Sequence, residues 1–182
     1  MVTTNDDAFA TRIKLLRNLA FTEPRFKHEL AGFNFRMPGF VAALGLAQFR
    51  KIKHIVEEKR RVAHRYNKKL KDIKGVQLPA ELEWAKNVYW MYGIVIDPQQ
   101  FGIDRNALVG ALAESGIQTR TFFCPMNQQP VLDRIPGFRE IPCPVADSLW
   151  ENGLYLPSTW NLSDETIDFI CDAIRHAPMW EA

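Results

Sequence analysis

From Pro38 to Ile73 the chain reads as a helical run too long for one ordinary globular helix, and at Gly75 that texture stops. Beyond it, stretches rich in Val, Ile, Tyr and Trp alternate with capped helical patterns. That order restricts the chain to an α/β or α+β architecture. Within the long run Val41, Leu44, Ala47 and Ile52 share one face, and a kink or break is expected near Lys51 to His54. Gly75 suits the position just past a helix end.

The flanking segments follow the same logic. Asn5 or Asp6 can cap a first helix, in which Phe9, Ile13 and Leu16 recur at helical spacing through about Asn18. Residues 21–37 are irregular, and Pro38 suits the first turn of the next helix. Val88 to Ile96 favours a strand. Asp104 caps a helix carrying Leu108 and Leu112 and ending at Gly116. Ile117 to Phe123 reads as a second strand, and Cys124 to Pro142 as a proline-rich loop. Pro144 starts a helix that Gly153 ends near Asn152, before a short strand at 154–156. Ser163 caps the last helix, which turns Ile167, Ile170, Cys171 and Ile174 inward.

Composition narrows the function. With 47% hydrophobic and 24% charged residues over 182 positions, the chain is globular and can bury a sizeable core. No apolar run approaches the roughly 20 residues of a membrane span, and no signal-peptide pattern opens the chain, so a cytoplasmic protein is expected. Three widely spaced cysteines do not make a disulfide framework, and no Cys-x-x-Cys or His-x-x-x-His spacing suggests a metal. Net charge is +2, yet residues 50–74 hold eleven Lys/Arg against three Asp/Glu. This basic helix reads either as a solvated amphipathic face or as a surface for an acidic partner or nucleic acid. A non-enzymatic binding module built on it is the alternative function.

Three segments could carry chemistry. In Gly32-Phe33-Asn34-Phe35-Arg36-Met37, an amide and a guanidinium two residues apart can face an anion; the plainer reading is a turn and a surface ion pair. Thr119-Arg120-Thr121-Phe122-Phe123 leads into Pro125-Met126-Asn127-Gln128-Gln129-Pro130, which reads equally as a strand ending in a ligand-contacting polar loop or as an ordinary connection with its phenylalanines in the core. Tyr89-Trp90-Met91-Tyr92 reads as core or interface. No nucleophilic triad and no glycine-rich phosphate loop is present.

Together these segments resemble the DegT/DnrJ/StrS family of sugar-nucleotide aminotransferases. The resemblance rests on Gly32-x-Asn34-x-Arg36-Met37, on residues 42–48 (Ala-Ala-Leu-Gly-Leu-Ala-Gln), and on Lys59-Arg60-Arg61 with Tyr66. It continues through Asn87-x-Tyr89-Trp90-Met91-Tyr92, Gly116-Ile117-x-Thr119-Arg120 and Pro125-Met126-x-x-Gln129-Pro130, and then Pro144 to Asp147 and Gly153 to Ser158. The wording is most like the perosamine synthase type.

The resemblance implies the C-terminal part of a fold type I enzyme that uses pyridoxal phosphate (PLP), with helices packed on a small, mostly antiparallel sheet. Such enzymes move an amino group from glutamate to a keto-sugar nucleotide in amino-sugar and polysaccharide biosynthesis. It implies a homodimer in which Asn34 reaches the PLP phosphate of the neighbouring subunit. Arg36, Arg120 and Asn127 then belong to the substrate site, Asn127 standing where many relatives have His. It places residues 1–45 at the end of the PLP-binding large domain and 46–182 in the small domain. The family's Schiff-base lysine stands in a Ser-x-x-x-x-Lys-x-x-x-x-Gly-Glu-Gly-Gly segment, and Met1 to Asp6 resembles the text that follows it. The expectation is therefore that this lysine lies upstream of Met1, that no catalytic residue is in the chain, and that the chain alone is inactive.

Overall fold

A computed structural model describes residues 2–135, 137 and 141–177. The chain divides into two compact units, Met1–Lys51 and Ile52–Ala182.

In the first unit, α1 (Asp7–Arg17) begins where the Asp6 carboxylate accepts the Phe9 amide at 2.9 Å. Acceptance of an early amide and the acidic first turn both favour this start. Leu19 and Ala20 then take left-handed backbone conformations (φ 60° and 52°), reversing the chain. Helix α2 (Gly39–Phe49) is built of good helix formers and apolar residues, yet among the described residues it buries none of them. Phe40, Leu44 and Phe49 are 65–78% exposed. The helix gives way at Arg50–Lys51, where the break was expected.

The second unit opens with α3 (Ile52–Leu70) and continues β1 (Val76–Gln77), β2 (Tyr92–Ile96), α4 (Pro98–Phe101), α5 (Arg105–Glu114) and β3 (Arg120–Thr121). It closes with α6 (Pro144–Asn152), β4 (Gly153–Leu156) and α7 (Asp164–His176). The sheet runs β1-β2-β4-β3, antiparallel at every pair, with Tyr92 opposite Leu156 and Arg120 opposite Tyr155. Tyr92, Ile94, Ile96, Leu154 and Leu156 bury one face of it. In the same core lie Val62, Tyr66 and Leu70 of α3, Leu108 and Leu112 of α5, and Ile167, Ile170 and Ile174 of α7.

The core carries three phenols, Tyr66, Tyr89 and Tyr92, and two of them pair closely. Tyr66 stacks on Tyr92 with ring centroids 4.7 Å apart and donates to the Pro157 carbonyl at 2.9 Å. Tyr92 donates to Asn67 Oδ1 at 2.6 Å. Burial pushes both hydroxyls well above the ordinary phenol range, so both remain donors at any physiological pH. Burial likewise pushes the Cys171 thiol up to about 12, leaving it an inert packing group.

Several elements differ from the sequence reading. Only Arg120–Thr121 of the strand expected over 117–123 joins the ladder, because Ile117 donates back to the Leu112 carbonyl and finishes the helix instead. Only 92–96 of the strand expected over 88–96 pairs, because Tyr89 turns through φ 47° while Asn87 accepts its amide. Helix α3 ends at Leu70, five residues before Gly75, and Gly153 is extended and starts β4. The proline-rich segment 124–142 contains two short 3-10 turns, Met126–Gln128 and Leu132–Arg134; its residues 136 and 138–140 lie outside the described residues. Among the described residues no helix is long and apolar enough to cross a membrane, and no metal-ligand cluster forms.

The basic helix is tied down by acids within the fold. Arg61 bonds Asp164 at 2.6 Å and Arg65 bonds Asp168 at 2.6 Å, while Lys69 reaches Asp168 at 3.0 Å. Arg60 grips both oxygens of Glu81. Glu81 also accepts the Asn87 amide and the Tyr89 hydroxyl, so one carboxylate fixes the segment ahead of β2. The Arg60 hydrogen bond is the leading cause that holds this carboxyl down to about 2, against an ordinary value of 4.5. A depressed carboxyl adds stability that is fully present above its ordinary value and is lost as pH falls toward its folded value. Thermal melts between pH 5 and 2 are expected to show a shallower acid decline in Glu81→Gln than in the parent chain; equal slopes would sink this assignment.

Candidate functional site

The expected site residues divide between the two units: Asn34 and Arg36 in the first, Arg120 and Asn127 in the second.

The Asn34 segment is extended and pinned to the end of α1. Phe33 donates to Leu16 O at 2.7 Å, Leu19 donates to Phe33 O at 3.0 Å, and Phe35 donates to Arg17 O at 3.1 Å. Gly32 makes this approach possible, since a Cβ there would lie 2.3 Å from the Ala20 nitrogen. Alternation along an extended chain puts Phe33 and Phe35 on one side, where their rings stack at 5.1 Å, and Asn34 on the other. The Asn34 side chain is exposed on a backbone held by hydrogen bonds on both flanks. Its carboxamide can donate to a phosphate oxygen. Arg36 lines a separate cleft of about 410 Å³ with Asn18, Phe21, Thr22, Glu23 and Arg25. Asn18 Oδ1 is enclosed and has no donor among the described residues.

In the second unit, Arg120 lines a cleft of about 290 Å³ whose walls include Trp90, Tyr155, Thr119, Ser158 and Lys59. Lys59 is the feature that sequence reasoning missed. The sequence showed it as part of a basic run and of the Lys59-Arg60-Arg61 motif, with no site role, yet its Nζ donates to the Trp90 carbonyl at 2.9 Å and to the Ser158 carbonyl at 2.5 Å. Burial lowers its pKa from the ordinary ammonium value. Asn127 sits half-buried in the 126–128 turn and is not among the residues lining this cleft. The Phe122 ring stacks on Tyr155 at 4.5 Å, so the loop leaving β3 is anchored beside Arg120. For a phosphorylated cofactor such as PLP, the fit is partial: an exposed amide on a rigid segment can hold one phosphate oxygen. Every lysine stands outside a Ser-x-x-x-x-Lys-x-x-x-x-Gly-Glu-Gly-Gly context.

The DegT/DnrJ/EryC1/StrS aminotransferase profile matches residues 1–175. The chain belongs to that family. GDP-perosamine synthase of Vibrio cholerae is 29% identical over 177 residues, covering 97% of this chain and 47% of that protein. A putative pyridoxal phosphate-dependent aminotransferase, EpsN of Bacillus subtilis, is 26% identical over 97% of this chain and 45% of its own length. The crystal structure of DesI with its TDP-sugar product superposes with a TM-score of 0.81 at 26% identity, over 98% of this chain and 45% of that one. This family member therefore spans about half the length of the curated relatives it matches, and its architecture is that of a C-terminal aminotransferase part.

Proposed function

We propose that the chain is the C-terminal share of a PLP-dependent aminotransferase that transfers an amino group from glutamate to a keto-sugar nucleotide. Residues 1–45 complete the cofactor-binding large domain and 46–182 form the small domain. The working enzyme is a cytoplasmic homodimer, and the cofactor-bearing lysine is supplied outside these residues. The observation that carries the reading is the pinned, outward-facing Asn34 amide. The uncovered apolar face of α2 supports it, since such a helix needs a further partner surface.

When bound, PLP supplies the electron sink for amino transfer. This chain's residues do the rest of what is assigned to it. Asn34 holds the cofactor phosphate of the neighbouring subunit, and Arg36 meets the substrate phosphates from the 410 Å³ cleft. Arg120 fixes the substrate from β3, while Asn127 donates or accepts a hydrogen bond without moving a proton, as a carboxamide must.

Two assays test the reading. Mass spectrometry of the nucleotide pool should find no glutamate-dependent amino-sugar nucleotide made by this chain alone, above a no-protein control. In a polypeptide that also carries the lysine-bearing half, Asn34→Ala should weaken PLP binding about tenfold, the worth of one charge-assisted hydrogen bond. Turnover by the isolated chain, or unchanged cofactor affinity in the variant, would overturn it.

A further inference from the structure

Lys59 is chemically unlike its neighbours on α3. Arg60, Arg61, Arg65 and Lys69 each meet a carboxylate within 4.0 Å. Among the described residues no carboxylate pairs with Lys59, although it is half-buried. Its two partners are neutral carbonyls. Carbonyls accept its protons without cancelling its charge, so a partly desolvated cation is left without a counter-ion. An ammonium has three N–H donors, and the carbonyls use two. Lys59 lines the cleft, which is where the third is available.

The surroundings extend the same chemistry. Arg120 lines the same cleft and, among the described residues, also lacks a paired carboxylate. Thr119 and Ser158 add hydroxyl donors, and Trp90 and Tyr155 wall the cleft with low-polarity surface that strengthens charge interactions inside it. A volume of about 290 Å³ suits a phosphoryl group or an amino-acid carboxylate end, not a whole sugar nucleotide.

We propose that this cleft is an oxyanion-binding site in which the Lys59 ammonium makes the central contact and Arg120 a second. The assignment rests on the proposed sugar-nucleotide aminotransferase function and extends it: the anion is either the diphosphate of the sugar nucleotide or a carboxylate of the amino donor. Both present oxygens that an ammonium and a guanidinium bind.

Calorimetric titration of the full chain at low salt with inorganic phosphate, GDP, the sugar nucleotide GDP-mannose and glutamate decides between the sources. At least one of them should bind. In Lys59→Met that affinity should fall about tenfold while the circular dichroism spectrum is retained. Arg120→Met, at an exposed position outside the core, should weaken the same anion several-fold and keeps the test decisive if Lys59→Met does not fold. GDP as the bound anion assigns the diphosphate, and glutamate assigns the donor carboxylate. No binding by the parent chain, or parental affinity in every folded variant, overturns the site. Binding of phosphate with no binding of a sugar nucleotide leaves the site standing and counts against the substrate reading. Sugar-nucleotide binding that ignores both substitutions does the reverse.

Discussion

Tyr66→Ala is expected to cost the second unit about 3–5 kcal/mol, at the top of the range for truncating one core side chain. The ring is fully buried, stacks on Tyr92 and sits where α3, β2 and the end of β4 converge. Truncation removes the stacking and opens a cavity lined by residues fixed on three elements, so collapse around it is limited. It also strands the Pro157 carbonyl without its donor. A domain of ordinary stability has about 5–15 kcal/mol in all, so a large part is lost. Chemical denaturation followed by circular dichroism should give a transition midpoint well below the parent's. Tyr66→Phe separates the two contributions: it keeps the ring and should cost only about 1–2 kcal/mol. If Tyr66→Ala costs no more than Tyr66→Phe, the stacked core is not the keystone of this unit.

Tyr66 was legible in the sequence as part of an amphipathic face, and so was most of what packs around it. Helical spacing placed Ile167, Ile170, Cys171 and Ile174 on one side of α7, and all four are buried. Ser163, Asp104 and Asp6 were readable as caps because each sits directly ahead of an apolar-periodic run, and each side chain accepts an amide of its helix's first turn. The break near Lys51 followed from length alone. What spacing could not show is where one element meets another. Lys59 looked like any other member of a basic run, because its two carbonyl partners are 31 and 99 residues away. Leu19 and Ala20 carry no glycine signal for the left-handed turn they adopt; the hydrogen bonds to Phe33 and Leu15 impose it. The strand at 117–123 was overestimated because β propensity reads side-chain shape, while Ile117 is taken by the helix end and the pairing with β4 runs only as far as the Phe122 amide, which donates to the Gly153 carbonyl.

Phe122 also carries the second large prediction. Its ring lies across Gly93 of β2 and Gly153 of β4, two positions that a sequence shows only as small residues in or beside strands. A Cβ at Gly153 would come within 2.4 Å of both the Leu149 carbonyl oxygen and the Phe122 ring. A Cβ at Gly93 would find side-chain atoms as its three nearest neighbours, two of the Phe122 ring at 2.7 Å and one of Tyr155 at 3.2 Å. The two glycines therefore answer differently. Gly93→Ala can be relieved by turning one ring away, at a cost of about 1–2 kcal/mol. Gly153→Ala also presses on backbone at the end of α6, which cannot move without loosening that helix, and about 3 kcal/mol or more is expected. Thermal melts of a double-mutant series test this directly. Phe122→Ala should rescue most of the loss in Gly93→Ala, because it removes the atoms in conflict. It should rescue little in Gly153→Ala, because the Leu149 carbonyl remains. Equal rescue at both positions would mean that the ring alone sets the spacing of β2 and β4, and that the helix end is free to yield.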